Sequence, residues 1–268
     1  MNPFEVFLTQ PILNLLVAFY KILETASVPG SLGLAIILLT TTIRGALWPL
    51  TTAQLKSSQK MAALKPHLDR LKQEHGQDKV RHQQEISRLY KEHGVNPLSG
   101  CLPVLLQIPV FIALYNVLLK IIDFQKTDFL AHINDKLYYG FLHIDKIPST
   151  SFLGFNLSAK PSQWQEFGFL ILLIPLLTGL FQFIQSKMLV VPSSKMEGEA
   201  KPSAENTMAQ MQSQMVLIMP AMIAFFSYGF PVGLSLYWNT FTIIGIVQQY
   251  VISGAGAFNK YLPTSLKK

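Results

Sequence analysis

Charged side chains make up only 14% of this 268-residue sequence, whereas ordinary soluble domains carry roughly a quarter. The deficit is concentrated. No Asp, Glu, Lys or Arg occurs from Gly94 to Leu119, from Phe167 to Ser186, or from Asn206 to Asn259. A helix needs about 20 apolar residues to cross the hydrocarbon core of a bilayer, so each gap is membrane-sized. Cysteine is nearly missing too. Cys101 stands alone, which excludes an internal disulfide and leaves no metal-ligand spacing. It reads as a small buried apolar residue. The six histidines (His67, His75, His82, His93, His132 and His143) all fall in expected loops or in a polar hairpin. An intramembrane hydrolase would need Ser/His or His/Glu pairs within its spans, so an enzyme of that kind is not expected. No internal repeat is visible, which argues against the repeat-built transporters. Glu5 and no basic residue precede the first apolar stretch, so no cleavable signal is expected there.

What is present predicts an all-α integral membrane protein. Residues 1–28 carry Phe4, Leu8, Ile12, Leu15, Phe19 and Ile22 on one helical face, the pattern of an amphipathic helix lying at the interface. A first transmembrane helix is expected over 29–54. Residues 55–96 turn polar and charged, with Met61, Leu64, Leu68 and Leu71 at helical spacing. Gly76 breaks that pattern and Asp78 can cap a second helix. The stretch reads as a helical hairpin outside the membrane. A second span over 97–122, a connection over 123–164 and a third span over 165–187 follow. A polar loop over 188–211 leads to a fourth and fifth span within 212–253, joined at Phe230-Pro231, and a tail over 254–268 ends the chain.

Basic residues in the connections set the orientation. The hairpin, the 188–211 loop with Lys187 at its edge, and the tail together hold fifteen of the 22 lysines and arginines. They are expected on the cytoplasmic side of the cell membrane. The N-terminus and the 123–164 connection are then expected outside.

One charge sits inside a span. Arg44 lies ten residues before Gln54, roughly 15 Å from the inner end of its helix at 1.5 Å per residue. A central arginine costs about 2.5–3.5 kcal/mol on insertion scales, and it cannot shed its proton to escape that cost. No Asp or Glu lies inside any expected span, so a hydrated polar cavity is expected in place of an ion pair. Thr40 and Thr41, four and three positions earlier, share its face by helical spacing. Gln107 in the second span, Gln182 and Gln185 in the third, and Asn239 and Trp238 in the fifth are the further candidates for the lining. Ser235 and Thr242 share the face of Asn239. Taken singly, such residues are more often ordinary helix–helix contacts.

Three ordered runs resemble the YidC-type insertases of the Oxa superfamily. The first is Thr42-Ile43-Arg44-Gly45 through Trp48-Pro49-Leu50-Thr51, followed by Met61 and Pro66. The second is Asn96-Pro97-Leu98-Ser99-Gly100-Cys101-Leu102-Pro103, then Gln107-Ile108-Pro109-Val110-Phe111 and Ala113-Leu114-Tyr115. The third is Phe230-Pro231-Val232-Gly233-Leu234 through Leu236-Tyr237-Trp238. The resemblance covers about residues 29–253 and implies five transmembrane helices around a hydrophilic groove. That groove is open to cytoplasm and lipid and closed to the outside. It implies Arg44 as the groove arginine, Gln182 or Gln185 at the polar position of the third span, and Trp238 at the groove position of the fifth.

The function implied is insertion and folding assistance of nascent membrane proteins, by a monomer acting alone or with the Sec translocon. Membrane lipid is a further partner, and the ribosome and the Sec translocon are candidates. No specific nucleic acid and no cofactor are implied. The competing reading of the same residues is a small solute or anion transporter or channel, with Arg44 as the anion site.

Overall fold

The computed structural model describes residues 3–76, 78–94, 102–122, 129–189, 204–256 and 258. Cys101, the Asn96–Gly100 part of the second motif, most of the 188–211 loop and the end of the tail lie outside them. The long elements are all helical. A π-turn over Glu5–Thr9 runs into α1 (Gln10–Thr25), followed by α2 (Ser31–Ala46), α3 (Trp48–Ala63), α4 (Lys65–His75) and α5 (Lys79–Glu92). Then come α6 (Leu102–Ile122), α7 (Phe129–Asn134), a hairpin of β1 (Ser151–Phe152) and β2 (Phe155–Asn156), and α8 (Trp164–Phe167). The chain continues through α9 (Leu173–Leu189), α10 (Ala204–Gly229) and α11 (Val232–Ser253).

This is the architecture of an all-α membrane protein. Among the described residues, two continuous helical stretches have the length and apolar character to cross a bilayer. Glu5–Thr25 has a mean hydropathy of 1.6 and Phe169–Leu189 one of 1.9. The bent pair Ser31–Ala46 and Trp48–His75 has the length and composition of a third, counted as one broken span or as a re-entrant loop. The core is built mainly from α1, α2, α6, α11 and the connection after α7, with Leu16, Ala35, Ile36, Leu39, Ala113, Leu114 and Val117 fully covered. α9 packs against both α10 and α11. A Cβ on Gly179 would stand 3.0 Å from that of Ala224, so α9 and α10 approach closely at a small residue, as membrane helices do.

The expected first span is bent. α2 and α3 meet at 60° around Leu47. Pro49 has no amide hydrogen to donate to the carbonyl one turn back, and its ring crowds that carbonyl. α3 therefore leaves the direction of α2 and carries the chain toward α4 and α5, which pack as a hairpin. Asp78 caps α5 by accepting from the amides of Val80 and Arg81, both at 3.1 Å. The hairpin's thin apolar stripe buries Leu64 and Ile86.

The N-terminal helix does more than its amphipathic pattern predicts. Ile12, Leu13, Leu16 and Val17 enter the core, while Phe7 and Ile22 face outward. Its polar residues are used by the connection after α7. The Asn14 side chain donates to the carbonyl of Lys136 at 3.1 Å and accepts from the amide of Tyr138 at 2.7 Å. Lys136 also reaches Glu5 at 2.7 Å. Asn134 closes the same connection by bonding both the amide and the carbonyl of Ile144. The connection then covers one end of the bundle. Carbonyls of Ala159 and Leu157 accept from the amides of Val232 and Gly233, each at 2.9 Å, satisfying donors that the first turn of α11 would leave open.

Candidate functional site

α11 is the element around which the candidate residues gather. Arg44, near the end of α2, is 5% exposed. Its Nε donates to the carbonyl of Phe241 at 3.3 Å, and its guanidinium carbon stands 3.9 Å above the centre of the Phe241 ring. One turn further along α11 is Gly245. A Cβ built there would overlap Nη2 of Arg44 and Nε2 of Gln185, and would lie 3.2 Å from the guanidinium carbon. The guanidinium thus points its Nη2 end into a notch made by a missing side chain, with the Phe241 ring against its carbon and the Gln185 amide beside it. Among the described residues it has no carboxylate partner.

The other predicted residues separate into distinct contacts. Trp238 Nε1 donates to Gln182 Oε1 at 3.3 Å. Gln107 Nε2 donates to the Tyr237 hydroxyl at 2.6 Å. Ring contacts tie these pairs together: Phe111 meets Trp238 edge-on at 5.3 Å, and Tyr237 lies 6.0 Å from Phe241. Asn239 keeps a buried Oδ1 without a hydrogen-bond partner among the described residues. Thr40 is fully buried, and its hydroxyl donates back to Ile36 at 2.6 Å. Thr41 is exposed and donates back to Ile37 at 2.8 Å. The two threonines therefore sit differently although both are near Arg44 in sequence, and neither donates its hydroxyl to the arginine. Ser235 belongs to a separate buried hydroxyl cluster, bonded to Ser227 at 2.9 Å, with Thr178 3.4 Å beyond.

The structure differs from the expected hydrated cavity in one respect. The positive charge is covered by α11 and Gln185, so attraction to an aromatic face and a carbonyl supplies part of what water would supply. Two residues at the heart of this arrangement, Phe241 and Gly245, were not among the sequence candidates. Their signal was available: Phe241, Gly245 and Gln248 follow at four- and three-residue steps, one stripe of α11, and a glycine inside a helix costs about 1 kcal/mol relative to alanine unless something needs the space.

Gln248 completes the stripe. It is 1% exposed, and its amide nitrogen lies 2.7 Å from the Thr51 hydroxyl, 3.1 Å from the Trp48 carbonyl and 3.2 Å from the Thr52 hydroxyl. Two N–H groups serve three acceptors at the start of α3, just past the bend. Gln248→Leu removes both donors while keeping the bulk. It should lower stability by about 1–3 kcal/mol and loosen the α2–α3 bend. The checks are the unfolding midpoint in detergent and faster proteolysis between α3 and α4. An unchanged midpoint would show that packing alone holds the bend.

The family model described as 60Kd inner membrane protein matches residues 23–257. A membrane protein insertase YidC of Shewanella halifaxensis is 36% identical over 245 residues, 91% of this chain and 36% of the relative. One of Pelagibacter ubique is 34% identical over 252 residues, 93% of this chain and 39% of the relative. The chain spans well under half the length of these relatives.

Proposed function

The chain belongs to the YidC-type membrane protein insertase family, and from that premise we propose that it inserts nascent membrane proteins into the bilayer through a polar groove centred on Arg44. The observation that carries the reading is a buried guanidinium in the first core helix that has, among the described residues, no carboxylate partner and rests on the Phe241 carbonyl and ring. A fixed ion pair would neutralise that charge. An arginine resting on a ring and a shared carbonyl keeps it available to an incoming polar segment.

In this reading α2 with α3, α6, α9, α10 and α11 are the five spans, and α4–α5 is the cytoplasmic hairpin. The hairpin, the 188–211 loop and the tail face the cytoplasm; the connection after α7 and the N-terminal helix lie on the outer side. The polar side chains Gln107, Gln182, Gln185, Trp238 and Asn239 line the groove with Arg44. Thr40 and Thr41 flank it on α2. A client's hydrophilic outer segment is drawn toward Arg44, which shortens the apolar distance it must cross, and its apolar helix passes into lipid beside α9 and α11. The membrane potential pulls acidic segments outward at roughly 2.3 kcal/mol per charge per 100 mV. The protein acts as a monomer, alone or beside the Sec translocon, on clients delivered from the ribosome. Solution of this task needs no chemical step and no cofactor.

The test is complementation. Cells depleted of their own insertase are given this chain, and protease accessibility of a small client's outer segment is measured. Restored accessibility is the expected result. A chain that reaches the membrane and restores nothing would overturn the reading and direct attention to solute flux.

A further inference from the structure

We infer that Gly245 and Phe241 form a seat on α11 that fixes where the positive charge of Arg44 stands, which makes Gly245 a positioning residue for insertion. The inference rests on the insertase reading for its purpose, and on geometry alone for the seat. The guanidinium directs its Nη2 end at α11, which it can approach this closely only where no Cβ projects. Gly245 supplies that gap: any side chain there would collide with Nη2 of Arg44 and with Nε2 of Gln185. Phe241, one turn earlier on the same stripe, offers its ring 3.9 Å from the guanidinium carbon and its carbonyl 3.3 Å from Nε. The planar, delocalised cation suits an aromatic face and a carbonyl together.

The rest of α11 does not need a glycine at this position. Alanine is the better helix former, and only side-chain ends stand within overlap distance. Gly245→Ala therefore leaves the helix intact and acts by pushing the two side-chain ends away. Gln185 can swing aside. The Nη2 end must withdraw from α11, which draws the guanidinium off the ring and carbonyl. A lysine at position 44 ends about where the guanidinium carbon stands, one atom short of Nη2, so it should be indifferent to the extra methyl.

Two measurements on the full chain test this. Modification by phenylglyoxal is followed at Arg44 by mass spectrometry of the protein in detergent micelles. The seated guanidinium should react slowly in the native chain and several-fold faster in Gly245→Ala. Insertion is measured in the depleted cells for Gly245→Ala in the Arg44 chain and in the Arg44→Lys chain. It should fall about fivefold in the first and stay level in the second. Equal modification rates would overturn the seat. A fall of the same size in the Arg44→Lys chain, or no fall in either, would reduce Gly245 to a packing residue and overturn its positioning role. If the native chain itself inserts nothing, the insertase reading fails, and the modification rates still decide whether the seat exists.

Discussion

Arg44→Ala should lower insertion of clients with polar outer segments by at least about tenfold, equivalent to 1.4 kcal/mol, while leaving the protein folded and in the membrane. Arg44 stands in the last turn of α2, so its burial costs less than the about 2.5–3.5 kcal/mol of an arginine at a helix centre. The carbonyl bond and the ring contact offset only part of that. Removing the side chain removes the cost along with the contacts, so the variant's unfolding midpoint should stay near that of the native chain. A loss of insertion then reports on the charge itself. Arg44→Lys should keep most of the activity, because attraction to a client's polar segment needs a positive charge and not a particular shape. If Arg44→Ala inserts every client normally, the guanidinium has no part in insertion and is a packing residue of α2.

Gly33→Leu should be the most damaging change at the opposite end of the bundle. The β1–β2 hairpin turns through Leu153 and Gly154, with φ of 48° and 84°, the double positive-φ geometry of a two-residue turn. That turn aims Phe152 at the start of α2. A Cβ on Gly33 would overlap the Phe152 ring at three atoms, and one on Gly30 would stand 2.7 Å from it. A leucine at 33 must expel the ring. With it goes the segment whose Leu157 and Ala159 carbonyls hold the first amides of α11. Overpacking of about 1–3 kcal/mol and two lost hydrogen bonds of about 1 kcal/mol each should lower the unfolding midpoint by about 5–15 °C. Proteolysis within residues 137–160 should accelerate. Adding Phe152→Ala vacates the space and should restore most of the midpoint. A Gly33→Leu chain that melts like the native one, or a double variant no better than the single, would show that Phe152 does not seat on α2.

Periodicity and charge were enough to read the helices as helices, because both are local. The charge-free runs mark where helical backbone can satisfy itself without water. Asp78 announces its own cap, and it makes the two expected bonds. Pro49 stood in the expected first span and marks the bend, but the contact of Gln248 with Trp48, Thr51 and Thr52 just past it is contained in no local pattern. The N-terminal helix is a similar case. Its apolar stripe was visible, whereas the use of Asn14 and Glu5 to hold a connection more than a hundred residues away was not.

The same division runs through the candidate site. The sequence by itself showed one arginine within an apolar run, no carboxylate inside any expected span, and glutamines, an asparagine and a tryptophan as the candidate polar groups. Helical spacing assigns each of these to a face of its own helix. It says nothing of how one helix is rotated against another, since that angle is set by side chains far apart in the chain filling a shared interior. Only the tertiary structure decided that Gln185 stands beside Arg44 while Gln182 meets Trp238, that Gln107 goes to Tyr237, and that Thr41 faces outward. It also decided that the charge rests on Phe241 in the space left by Gly245, a position whose importance comes from a side chain it lacks.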